Sequence, residues 1–123
     1  MRWLVDGMNV IGTRPDGWWK DRDAAMATLV AELERLAADT GDEVTVVFER
    51  PPRPPIRSPV VEVAHGRKRG PDAADFEIAD RVKADPDPRS LHVVTSDRWL
   101  ADRVRASGAV VESSEAFRAR LGY

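Results

Sequence analysis

Apolar and polar positions follow two rhythms along the chain. Ala25, Met26, Leu29, Val30, Leu33, Leu36 and Ala37 recur at i, i+3, i+4, i+7 spacing. Glu32, Glu34 and Arg35 fall on the opposite face, and Gly41 punctuates the end. This predicts an amphipathic helix over 21–38. Short apolar or β-branched runs bounded by turn residues predict strands. They lie at 2–5 (RWLV), 43–49 (EVTVVFE), 60–64 (VVEVA), 90–95 (SLHVVT) and 109–112 (AVVE). A helix starts near Pro71, with Ala74, Ile78 and Val82 on its apolar face and Phe76 or Ala79 at the flank. Another carries Trp99, Leu100, Ala101 and Val104 behind a cap at Ser96 or Asp97, and a last short one covers 114–121.

Two stretches break the rhythm. GTRPDGWW at 12–19 reads as a loop, in which Trp18 and Trp19 cannot both face inward. RPPRPPIRSP at 50–59 is half proline and predicts an extended surface segment. Strands that alternate with helices predict an α/β fold: a mostly parallel central sheet with helices on both faces, in three α/β/α layers. The 123 residues make a single domain, 1–123.

No apolar run approaches the roughly 20 residues that cross a bilayer, and Asp6 interrupts the pattern of a leader peptide, so neither membrane span nor leader is expected. Cysteine is absent, which excludes disulfides, thiolate zinc sites and cysteine nucleophiles and fits the cytoplasm. The net charge of -2 gives no general attraction for polyanions. Between positions 53 and 69, however, five basic residues (Arg53, Arg57, Arg67, Lys68, Arg69) face one acid, Glu62. Such a stretch is either a solvated loop or a local surface for a phosphate backbone.

The carboxylates give sharper information. In open parallel sheets, ligands bind at the carboxyl ends of the strands, near the switch in strand order. Asp6, Gly7 and Asn9 follow the first strand; Thr95, Ser96 and Asp97 close the strand at 90–95; Asp72 and Asp75 open the helix after the basic turn, on one helical face. Each acid alone has a structural explanation: a cap for Asp97, a helix-dipole complement for Asp72 and Asp75. Together they would bring carboxylates from three segments to one edge. Like charges raise one another's pKa, so such a cluster calls for a cation. Oxygen donors without His or Cys suit Mg²⁺ or Mn²⁺. Asp6 would end its strand as a metal ligand, Gly7 would let the backbone turn, and Asn9 would hydrogen-bond the site. His65, His92, Asp80, Asp85 and Asp87 read as structural or solvated.

VDGMNVIG, GPDAADFEIADRV and VVTSDRWLADRVRASGA resemble the YacP-like branch of the NYN domains, within the PIN-like nuclease superfamily. The resemblance spans nearly the whole chain and implies a compact α/β domain with ribonuclease activity at an acidic Mg²⁺-type site. By motif, Asp6 and Asn9 match the first signature, Asp75 the acid of A-D-D-x-I, and Asp97 the S-D signature, with Thr95 and Ser96 before it. The second acid of A-D-D is Phe76 here, leaving Asp72, or more weakly Glu77, to compensate. The expected chemistry is metal-assisted hydrolysis of RNA, with Asp6, Asn9, Asp75 and Asp97 as the catalytic set and Asp6, Asp75, Asp97 and Asp72 on the metal. Arg67, Lys68, Arg69, Ser96 and Trp19 would bind RNA. The alternatives are a non-catalytic RNA-binding module with a degenerate site, and a toxin paired with an antitoxin. A phosphoryl-handling domain is disfavoured by the lack of a P-loop or a G-x-G-x-x-G turn. A homodimer is compatible with the sequence without being required by it.

Overall fold

A computed structural model describes residues 1–122. Five parallel strands form one sheet: β1 Arg2–Asp6, β2 Glu43–Phe48, β3 Val61–His65, β4 Leu91–Val94 and β5 Val110–Glu112. Their order is β3-β2-β1-β4-β5. Each strand residue points opposite to its neighbours, so each face of the sheet acquires its own core. Trp3, Val5, Val44, Val46 and Phe48 pack under α1 (Gly7–Ile11), α2 (Arg22–Thr40) and α5 (Ser114–Arg120). Leu4, Val47, Leu91 and Val93 pack under α3 (Ala73–Ala84) and α4 (Arg98–Ala106). This is the expected three-layer arrangement, with the sheet parallel throughout.

The chain lays β1, β2 and β3 outward in one direction, then returns so that β4 docks on the free edge of β1. The sheet therefore changes direction between β1 and β4, and their carboxyl ends part to leave a crevice.

Several local expectations are corrected. The residues after β1, to which the sequence pattern assigns no element, wind into α1, whose Val10 and Ile11 are completely buried. Gly7 is needed for packing rather than for a turn. A Cβ there would sit 2.5 Å from the Phe48 ring. Glu32 is not on the solvent face of α2. It is 4% exposed and meets Arg14 from the preceding loop at 2.6 Å, a charge buried together with its partner. Asp85 is not simply solvated, because it takes a two-pronged bond from Arg2 at 2.8 and 3.0 Å, which holds its carboxyl below the usual range.

Candidate active site

Asp6 is the last residue of β1 and shares the face of Leu4, which looks toward α3 and α4. It is only 4% exposed. Thr95, the residue after β4, donates its hydroxyl to Asp6 Oδ2 at 2.9 Å, and the threonine Oγ1 in turn accepts the Asp97 N–H at 3.1 Å. One threonine thus spans the crevice between β1 and β4 and ties two of the acids together. Asp97 spends Oδ1 on the Leu100 N–H, 2.8 Å away, as the N-cap of α4. The cap and the site are one residue, because a strand that feeds a helix at the sheet edge puts the capping position in the crevice.

Asp75 enters from the first turn of α3, and Asp72 stands one turn earlier, at the helix start, without a capping bond. Asp6, Asn9, Asp72, Asp75 and Asp97 all line one open cleft of about 410 Å³. A larger groove, about 590 Å³, lies at the amino end of the sheet and carries three acids, Asp42, Glu43 and Glu62, against five in the cleft: Asp6, Glu49, Asp72, Asp75 and Asp97.

Electrostatics mark the same place. Burial pushes the Asp6 carboxyl up to about 7; the Thr95 hydrogen bond opposes this, while Asp75 and Asp97 add to it. Asp75 is pushed up to about 6, first by burial, then by Asp97, Asp72 and Glu49. The acids expected to converge therefore do repel one another.

Other expectations change at this level. Asn9 does not face the acids with its carbonyl. Asn9 Oδ1 accepts from the Ser96 N–H at 2.9 Å and from the Ser114 hydroxyl, pinning the loop after β4 and the start of α5 to α1. It positions the site. The Ser96 hydroxyl is spent within the protein, donating to Glu115 at 2.7 Å and accepting from the Ser114 N–H at 3.0 Å, so it offers little to RNA. Trp18, not Trp19, lines the cleft, with the Arg22 guanidinium 5.3 Å from its ring centre. Trp19 packs edge-on against Trp18 and points to solvent. Arg67, Lys68 and Arg69 are exposed on the turn leading to Asp72, beside the cleft rather than in its wall. Glu77 is not a second ligand candidate: it is buried and bound by Arg81 at 2.8 Å and Arg67 at 3.5 Å.

Glu49 is a cleft residue the sequence pattern hid. It follows Phe48, the last residue of β2, and reads as a continuation of that strand. The rule that singled out Asp6 and Asp97, an acid just past a strand's carboxyl end, applies to it equally.

Among the described residues, no three acidic or imidazole side chains are gathered tightly enough to hold a metal ion directly. Mg²⁺, however, keeps several of its waters and binds through one or two carboxylates, so a looser ring of oxygens suits it. The charge of the neighbouring acids felt by Asp6 and Asp75, and the all-oxygen donor set, fit a hard divalent cation.

An open parallel α/β sheet with acids at its switch point is the architecture of the PIN-like domains. The model of the YacP-like NYN domain matches residues 3–122, and the chain belongs to that family. The crystal structure of Rae1 (YacP) from Bacillus subtilis superposes with a TM-score of 0.80 at 25% identity, covering 98% of this chain and 73% of that one. A UPF0178 protein of Xanthomonas oryzae is 39% identical over 100 residues, 78% of this chain and 55% of the relative. One from Cereibacter sphaeroides is 40% identical over 89 residues, 72% of this chain and 51% of the relative. The chain thus spans about half the length of these curated relatives.

Proposed function

We propose that this domain is a ribonuclease that hydrolyses RNA phosphodiester bonds at the acidic cleft, with Mg²⁺ or Mn²⁺ held by Asp6, Asp75 and Asp97, in part through the ion's own waters, and assisted by Asp72. The observation that carries this reading is the approach of Asp6, Asp75 and Asp97, from three segments far apart in sequence, around one cleft at the switch point. Bound there, such an ion supplies a water of lowered pKa and positive charge for the oxygens of the scissile phosphate.

The protein's own groups do the rest. Asp6 and Asp75 must give up their protons to act, and a cation beside them offsets the burial and, after it, the neighbouring acids that hold their pKa values high. Thr95 fixes the rotamer of Asp6 and the backbone at Asp97 through one hydroxyl. Asn9 locks the loop that carries Asp97. Glu49, just past the end of β2, adds a further carboxylate to the cleft. Arg22 on one rim and the Arg67, Lys68 and Arg69 turn on the other offer positive charge to the backbone without reading its sequence.

The spread of the acids also favours a second reading, a non-catalytic RNA-binding module. One experiment separates the two: incubation of single-stranded RNA with wild type and with Asp6→Asn, in Mn²⁺ and in EDTA. Cleavage by the wild type in Mn²⁺ alone, lost in Asp6→Asn, supports the nuclease. Equal cleavage by both proteins contradicts it, and RNA binding indifferent to EDTA with no cleavage supports the binding module.

A further inference from the structure

Phe76 and Trp99 have no part in the roles above. They project from different helices, α3 and α4, yet their ring centres lie 5.4 Å apart with the planes at 78°. Both are open to water, at 48% and 41% exposure. Arg103, one turn further along α4, lays its guanidinium 4.7 Å from the Trp99 ring centre. The two rings enclose a hollow of about 330 Å³ with Asp72, Asp75 and Asp97. Those three acids also line the acidic cleft, so the two recesses share a wall.

We propose that this hollow binds one unpaired nucleobase of a single strand whose neighbouring phosphodiester lies over the acidic cleft. The strand's direction rests on the nuclease reading; the base site does not. Aromatic rings exposed at the lip of a charged cleft offer a surface for base stacking, which accepts any base because every base has a π-face. Arg103 adds a cation beside the stack. The carboxylate wall accepts hydrogen bonds from the amino groups of a base. A base inside a duplex is stacked on its neighbours and cannot enter, so the hollow selects single strands or extruded nucleotides. Phe76 thus occupies, with a substrate contact, the position where the family signature carries an acid.

The test is fluorescence anisotropy with a labelled ten-nucleotide single-stranded RNA in EDTA, so that no cleavage is needed. Phe76→Ala and Trp99→Ala are expected to weaken binding about 5- to 100-fold, and Phe76→Leu, which keeps bulk without a π-face, to behave like Phe76→Ala. Phe76→Tyr is expected to bind as the wild type does. An oligonucleotide abasic throughout should bind weakly and equally to all. Wild-type affinity in the alanine variants overturns the proposal, as does an equal loss on the abasic strand. Wild-type affinity in Phe76→Leu also overturns it and points to an apolar protein contact. Base-dependent binding without cleavage in Mn²⁺ would sink the nuclease alone; cleavage with wild-type binding in both alanine variants would sink the base site alone.

Discussion

Thr95 donates its hydroxyl to the buried carboxylate of Asp6 at 2.9 Å, across the crevice where the sheet changes direction. The bond lowers a pKa that burial raises, so it keeps Asp6 nearer to the charge state that a cation requires. Thr95→Val, almost the same shape without the hydroxyl, leaves Asp6 and the Asp97 N–H without that partner. The expected cost is about 1–3 kcal/mol of stability, with the pH at which cleavage rises displaced upward. Thr95→Ser should restore both. Chemical denaturation and a pH–rate profile check this.

Asp6 also makes stability depend on pH. Its carboxyl titrates at about 7 in the fold against 3.8 ordinarily. Between those values the folded protein holds a proton that the unfolded chain has released, so its contribution to stability falls as pH rises through that window and levels off above it. Asp75, pushed up to about 6, acts in the same direction. Asp6→Asn is therefore expected to melt higher than the wild type at pH 8 and to differ little at pH 4. Mn²⁺ at pH 8 should raise the wild-type Tm more than that of the variant, because an ion that binds only the folded state stabilises it. Thermal melts at the two pH values decide the matter without any substrate.

Gly66 sets the position of α3. A Cβ at this residue would lie 2.5 Å from the Ala73 carbonyl oxygen, which is backbone and cannot swing away. Gly66→Ala must push the first turn of α3 outward, and that turn carries Asp75. The expected result is a loss of about 1–3 kcal/mol together with a fall in cleavage larger than the fraction unfolded explains. Activity measured well below the melting temperature separates the two effects.

The basic turn should act on affinity alone. Lys68→Gln with Arg69→Gln is expected to weaken binding to all single-stranded RNA sequences alike. It should also flatten the slope of log K against log salt by about 0.7 for each phosphate that the variant no longer neutralises. A salt titration of the anisotropy signal measures both, and an unchanged slope would exclude the turn from the interface.

The strand-end acids were legible in the sequence because two simple rules coincide there: a short apolar run marks a buried strand, and a parallel sheet presents its carboxyl ends to the ligand. Asp6 and Asp97 follow from those two rules; Asp75, in the first turn of α3, was read from the helix start after the basic turn and from its match to the A-D-D-x-I signature. What stayed hidden depends on partners distant in sequence. Glu32 sits on an apparently polar helix face, and its burial is offset by Arg14, folded over from the loop before α2. Ser96 resembles a free hydroxyl until Glu115 on α5 captures it. The choice between Trp18 and Trp19 turns on the rotation of a single 3-10 turn at 18–20, which no periodicity encodes. Five residues of α1 are too few to show a helical period, and Glu49 reads as part of the strand that ends one residue before it.

The central claim is that carboxylates from three segments share one divalent ion. A Mn²⁺ soak of crystals, read in an anomalous difference map, addresses it most directly. The expected result is one strong peak within coordinating or water-bridged distance of Asp6, Asp75 and Asp97, lost in crystals of Asp6→Asn. Well-occupied Mn²⁺ found only elsewhere on the molecule, or a peak that persists unchanged in Asp6→Asn, would contradict it.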